Sequence, residues 1–155
     1  MTKFTLKISE LFAQKKFDQI CIEFERRDAE LMSVNLHLLK ATSIQLAQNT
    51  SYTLDDARDS LMAAVTLEPN HTQAWLDLGH FYFAVDDSPL LALECFGKAR
   101  ILVQKLHEDL VIGEVKTLLE LGRKQEALSI LQNIPQANFS EDILALKEEL
   151  SDKSF

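Results

Sequence analysis

Four histidines (His37, His71, His80 and His107) and two cysteines (Cys21 and Cys95) are the side chains of this 155-residue chain best suited to nucleophilic or metal chemistry. Such chemistry needs partners at fixed spacing. A metal site on a helix wants a second His or Cys three or four residues on, and a nucleophile wants a base within hydrogen-bond reach. No histidine here has a His or Cys at that spacing, and the cysteines form no CxxC motif. The acid pairs Asp55–Asp56, Asp86–Asp87 and Glu148–Glu149 fall where helices begin or on a charged helix. They read as capping or solvated carboxylates rather than as an acid–base pair. HExxH, a phosphate-binding P-loop, GxGxxG and GxSxG are all absent. The expectation is a protein that is not an enzyme, with no metal and no cofactor. Only a site assembled from residues distant in the chain stays open.

Composition narrows the classes further. Hydrophobic residues make up 46% and charged residues 26%, which suits a chain that buries a core. Four glycines and three prolines are too few for the many tight turns of an all-β fold. The net charge of −8 repels a phosphate backbone, and the basic pairs Lys15–Lys16, Arg26–Arg27 and Arg123–Lys124 are too short to form a patch. Nucleic acid is therefore not an expected partner. No apolar run approaches the roughly 20 residues that span a bilayer, and residues 1–7 lack the apolar core of a signal peptide. Membrane insertion is not expected, and the expected compartment is the cytoplasm. There the triplets starting at Asn49, Asn70 and Asn138 carry no glycosylation meaning, and both cysteines read as buried free thiols.

The elements that must position any functional side chain are repeated helices. Ala57, Leu61, Ala64 and Leu67 recur 35 residues later as Ala92, Phe96, Ala99 and Leu102. They recur again, more weakly at the end, as Ala127, Leu131, Ile134 and Ala137. Phe17, Ile20 and Phe24 form a fainter earlier copy. The spacing predicts helices over about residues 3–14, 17–30, 33–48, 54–67, 72–85, 89–104, 108–121, 124–134 and 140–152. Thr53 before Asp55–Asp56, Ser88 before Pro89, and Ser140 before Glu141–Asp142 read as N-caps. Pro69-Asn70, Pro135 and Gly122 fall where a turn is needed.

Ala57-x3-Leu61-x2-Ala64-x4-Pro69, followed by Trp75-x2-Leu78-Gly79-x2-Tyr82, resembles the tetratricopeptide repeat (TPR). Ala92, Phe96 and Ala99 complete that unit one residue late, the extra residue falling in Asp86-Asp87-Ser88-Pro89. The resemblance is strong over about residues 54–104, fair over 108–134 and weak before residue 50, where Gln48-Asn49-Thr50-Ser51-Tyr52 would be an inserted turn. It implies an all-α, right-handed superhelix of helix-turn-helix repeats, an α-solenoid. Residues 1–155 would form one domain, with repeats at roughly 3–30 (degenerate), 33–67, 72–104 and 108–134. A capping helix at 140–152 would close it.

In such a solenoid the first helix of each pair lines the concave side. The residues there not used for packing are Gln73, Leu76, Asp77, His80 and Phe83 in the third unit. In the fourth they are Asp109, Ile112, Lys116 and Glu120, and in the second Asn35, Leu38, Thr42 and Gln45. Leu38, Leu76, Phe83 and Ile112 would take apolar anchors of a partner segment, or would themselves be core. Lys116 is the only cation on that face, unlike the TPR clamps that grip a C-terminal carboxylate with several cations. The expected function is a protein-binding adaptor or chaperone that holds a segment of another protein. The alternatives are an immunity-type inhibitor of a toxin or nuclease, a hydrolase or transferase with converging acids, and a self-assembling subunit that forms homo-oligomers.

Overall fold

The computed structural model describes residues 2–26, 32–135 and 140–152. Arg27, Ala137 and Asn138 lie outside these, as does the expected end of the second helix near residue 30. The described residues form eight α-helices and no strand. They are α1 (Lys3–Ala13), α2 (Phe17–Glu25), α3 (Val34–Leu46), α4 (Leu54–Leu67), α5 (Thr72–Ala84), α6 (Pro89–Glu120), α7 (Lys124–Asn133) and α8 (Glu141–Asp152). The fold class is all-α, as the periodicity predicts.

One expected turn is absent. The repeat period places a break between two helices at residues 104–108, but α6 runs unbroken for 32 residues. The stretch Gln104-Lys105-Leu106-His107-Glu108 explains why: it holds no Gly, Pro or capping residue, and each of its members is tolerated in a helix interior. Only the repeat period asks for a turn there, and local chemistry prevails. The chain divides into two compact units, residues 1–99 and residues 100–155. α6 contributes residues 89–99 to the first and 100–120 to the second.

In the first unit each helix packs on its neighbour in sequence from α1 to α5, and α3 also touches both α1 and α5. The larger core gathers Val34, Leu38, Ala41 and Ile44 from α3, Ala57, Leu61, Ala64 and Val65 from α4, and Ala74, Leu78 and Phe81 from α5, with Cys21 and Cys95. Ala41, Ala57, Ala64 and Ala74 are fully buried, so small side chains sit where helices approach one another. A second cluster unites Ile8, Ile20, Phe24, Met32 and Leu36 around Phe4, Leu11, Phe12 and Phe17. Tyr52 packs on both clusters.

The connections follow local chemistry. Thr53 caps α4 in a reciprocal capping box: its hydroxyl accepts from the Asp56 N–H, and the Asp56 carboxylate accepts from the Thr53 N–H at 2.7 Å. The segment from Ala47 to Tyr52 folds back on α2. There the Asp18 carboxylate accepts from the N–H groups of Gln48 (2.8 Å) and Asn49 (3.3 Å), and Ser51 donates to Glu25. Those backbone donors hold the Asp18 carboxyl below its ordinary range. Ser88 stands at the expected N-cap position before Pro89, its carbonyl accepting from the Ala92 N–H at 3.0 Å, while its hydroxyl donates back to the Asp86 carbonyl at 3.2 Å.

The second unit packs Val111 and Val115 of α6 against Ala127 and Leu131 of α7 and Ile143, Leu146 and Leu150 of α8. Gly122, at φ 71°, ends α6 in the left-handed conformation expected of it. Ser140 opens α8, its hydroxyl accepting from the Ile143 N–H at 3.4 Å.

Candidate partner-binding face

Along α5 the residues Gln73, Leu76, Asp77, His80 and Phe83 repeat at helical spacing on one side. The opposite side carries Ala74, Leu78 and Phe81 into the core. On the outer side Leu76 and Asp77 are half-buried, Gln73 and His80 are exposed, and Phe83 is 64% exposed. Gln73 donates to Asp77 at 2.7 Å, which fixes both polar heads. The His80 ring meets Phe96 edge-on, with centroids 5.1 Å apart. The face thus sets two apolar side chains, the half-buried Leu76 and the exposed Phe83, among polar ones.

α3 touches α5 and shows the same spacing with Asn35, Leu38, Thr42 and Gln45. Asn35 and Gln45 are exposed and Thr42 is half-buried. Gln45 donates to the Ala41 carbonyl at 3.2 Å. Leu38 is a correction: it is buried in the core, so it offers no anchor to a partner.

The remaining expected residues belong to the second unit. Asp109, Lys116 and Glu120 are exposed, whereas Ile112 is half-buried against the local core. Ile112 and Lys116 line a cleft of ≈ 330 Å³ with Asp142, Ala145, Leu146 and Glu149. The sequence-based set therefore divides: nine residues lie in the first unit on α3 and α5, and four in the second on α6.

Sequence reasoning missed a cleft on another side of α5. Met62, Trp75, Tyr82, Leu91, Cys95 and Lys98 border a space of ≈ 260 Å³ within the first unit. Trp75 donates its indole N–H to the Pro69 carbonyl at 2.7 Å, and the Tyr82 hydroxyl lies 3.5 Å from the Met62 sulfur. The repeat resemblance implies packing roles for Trp75 and Tyr82. No pattern in the sequence separates a filled helix junction from one left partly open.

Of the candidate chemical groups, His71 caps a helix and Cys21 and Cys95 pack in the core. His71 caps α5, its Nδ1 accepting from the Ala74 N–H at 3.2 Å. His37 is half-buried with Nδ1 unpartnered, and burial, then the charge of Lys40, pushes its pKa below the ordinary value. Lys40 itself lies 4.4 Å over the Tyr52 ring, and burial pulls its pKa down. Cys21 and Cys95 are buried free thiols, and burial raises both pKa values, which disfavours the reactive thiolate. Among the described residues, no group of three or more His, Cys, Asp or Glu is arranged to hold a metal ion. None of the described helices is long and apolar enough to cross a membrane.

No protein-family model, curated protein or solved structure matches the chain.

Proposed function

We propose that this chain is a non-catalytic, TPR-like protein-binding module of the adaptor or chaperone kind, which holds a segment of another protein against the outer face of α5 and the adjoining α3. The observation that carries the reading is the exposed Phe83, about two turns along from the half-buried Leu76, on the side of α5 turned away from Ala74, Leu78 and Phe81 of the core. An aromatic ring left in water recovers hydrophobic free energy when a partner's apolar residue covers it, by about 25 cal/mol per Å² buried. Gln73 and Asp77, already hydrogen-bonded to each other, can bond a partner backbone at the rim with little further ordering. The contacts of α3 with both α1 and α5 also support the repeat reading, because consecutive hairpins of such a fold meet through their first helices.

The test is a capture experiment from a lysate of the source organism with wild-type protein and the Leu76→Glu/Phe83→Glu double variant. Both substitutions fall on the outer face, so circular dichroism should show unchanged helicity. A protein retained by the wild type at high salt and lost from the folded variant is the expected result. A variant that retains the same protein equally well contradicts the assignment.

A further inference from the structure

Within the first unit, residues 48–51 of the connection between α3 and α4 lie along one side of α2. Asp18, Cys21 and Glu25 stand at i, i+3 and i+7 on that helix, within about 60° of one another around it. The segment meets them in the same order. The Asp18 carboxylate accepts from the N–H groups of Gln48 and Asn49, the Thr50 side chain lies beside the Cys21 thiol, and the Ser51 hydroxyl donates to Glu25. Cys21 is only 1% exposed. A wholly polar segment, Gln48-Asn49-Thr50-Ser51, is thus laid over a face of α2 that holds a buried thiol.

What holds the segment differs from what holds its ends. Gln48, Asn49 and Ser51 are exposed, and a space of ≈ 490 Å³ bordered by Lys16, Asp18, Leu46 and Gln48 adjoins its start. The ends are fixed by the helices themselves: the Ala47 N–H bonds the Ser43 carbonyl at 2.8 Å, and the capping box at Thr53 opens α4. Tyr52 packs on both core clusters under the Lys40 ammonium. Few buried apolar contacts and solvent-facing hydrogen bonds mark a segment that opens locally, at less cost than the whole unit. We propose that residues 48–51 are a strap that opens as a unit over the Asp18–Cys21–Glu25 face of α2, hinged at Ala47 and Tyr52, with the Asp18 carboxylate as its latch. Closed, it shields the Cys21 thiol; open, it admits reagents to that thiol while α3 and α4 keep their packing.

Labelling of the full chain with N-ethylmaleimide, read at each cysteine by peptide mass spectrometry, tests this. Cys95, the buried thiol on α6 of the same unit, is the internal reference for any opening other than the strap's. Asp18→Ala should speed labelling of Cys21 about tenfold and Ser51→Ala about threefold, through the hydrogen bonds that each removes. Cys95 should keep its wild-type rate in both. Ser51→Ala is the deciding variant: it lies at an exposed position and alters no charge near the thiol, so its melting temperature should match wild type and its effect cannot come from a changed thiol pKa. Cys21 gaining no more than Cys95 in Ser51→Ala would mean that the thiol is reached only by unfolding of the unit, which overturns the proposal. A wild-type Cys21 rate in Asp18→Ala overturns it as well, because the latch would then hold nothing.

Discussion

Gly79 lacks a side chain because Phe96 occupies the place one would need. A Cβ at this position would lie 2.7 Å from Cε1 and 2.9 Å from Cδ1 of that ring, which itself packs on His80. Gly97 is the contrast, with nothing within 4 Å of its Cβ position. Gly79→Leu should therefore lower stability by about 1–3 kcal/mol through overpacking. Gly97→Ala should raise it by about 0.5–1 kcal/mol through helix propensity alone. Thermal melts of the two variants should shift in opposite directions, and a melt of Gly79→Leu equal to wild type would remove Phe96 from this contact. His37 governs a different response. Its pKa is lowered in the folded state, so the folded chain binds fewer protons than the unfolded one once the pH falls below about 6.5. The stability associated with neutral His37 is complete above that pH and is lost progressively below it. The depressed carboxyls of Asp18 and Asp56 act only lower, below their ordinary value of 3.8. The melting temperature should thus fall between pH 7.5 and 5, and less steeply in His37→Gln; equal slopes would assign the effect elsewhere.

Two turns on separate units solve the same problem with different residues. After α1, the N–H of Lys15 bonds the Phe12 carbonyl at 2.9 Å and that of Lys16 bonds the Leu11 carbonyl at 3.0 Å. After α6, Gly122 bonds Leu119 at 3.0 Å and Arg123 bonds Leu118 at 2.8 Å. Both are Schellman closures that need a left-handed residue, Lys15 at φ 56° and Gly122 at φ 71°. Lys15→Gly should accordingly stabilise by about 0.5–1 kcal/mol, and Gly122→Ala should destabilise by about 1 kcal/mol. Chemical denaturation of each variant checks the pair, and a neutral Lys15→Gly would mean the positive φ carries no strain. The same comparison shows what could be read from sequence. Thr53, Pro69-Asn70 and Gly122 each bring a physical reason for a boundary, and α4 and the end of α6 fall where those residues put them. The expected break at residues 104–108 rests on periodicity without any such residue, and α6 continues through it.

At the scale of the whole chain, the all-helical class and the apolar periodicity of the first unit were legible because small residues, Ala57 and Ala64 and again Ala92 and Ala99, recur at buried positions. The candidate face was legible in outline. Helical spacing correctly put Phe83 on the outside of α5, but spacing alone could not decide Leu38, which follows the same pattern on α3 and is buried. Burial of that residue depends on how closely α3 approaches its neighbours, and no local signal encodes that distance. The central claim is that the outer face of α5 holds a partner segment. Hydrogen–deuterium exchange of the chain, alone and with its captured partner, tests it most directly. The account predicts added protection concentrated in residues 72–84 of α5 and residues 34–46 of α3, and none of it in the Leu76→Glu/Phe83→Glu variant; protection confined to other helices, or unchanged in that variant, would contradict it.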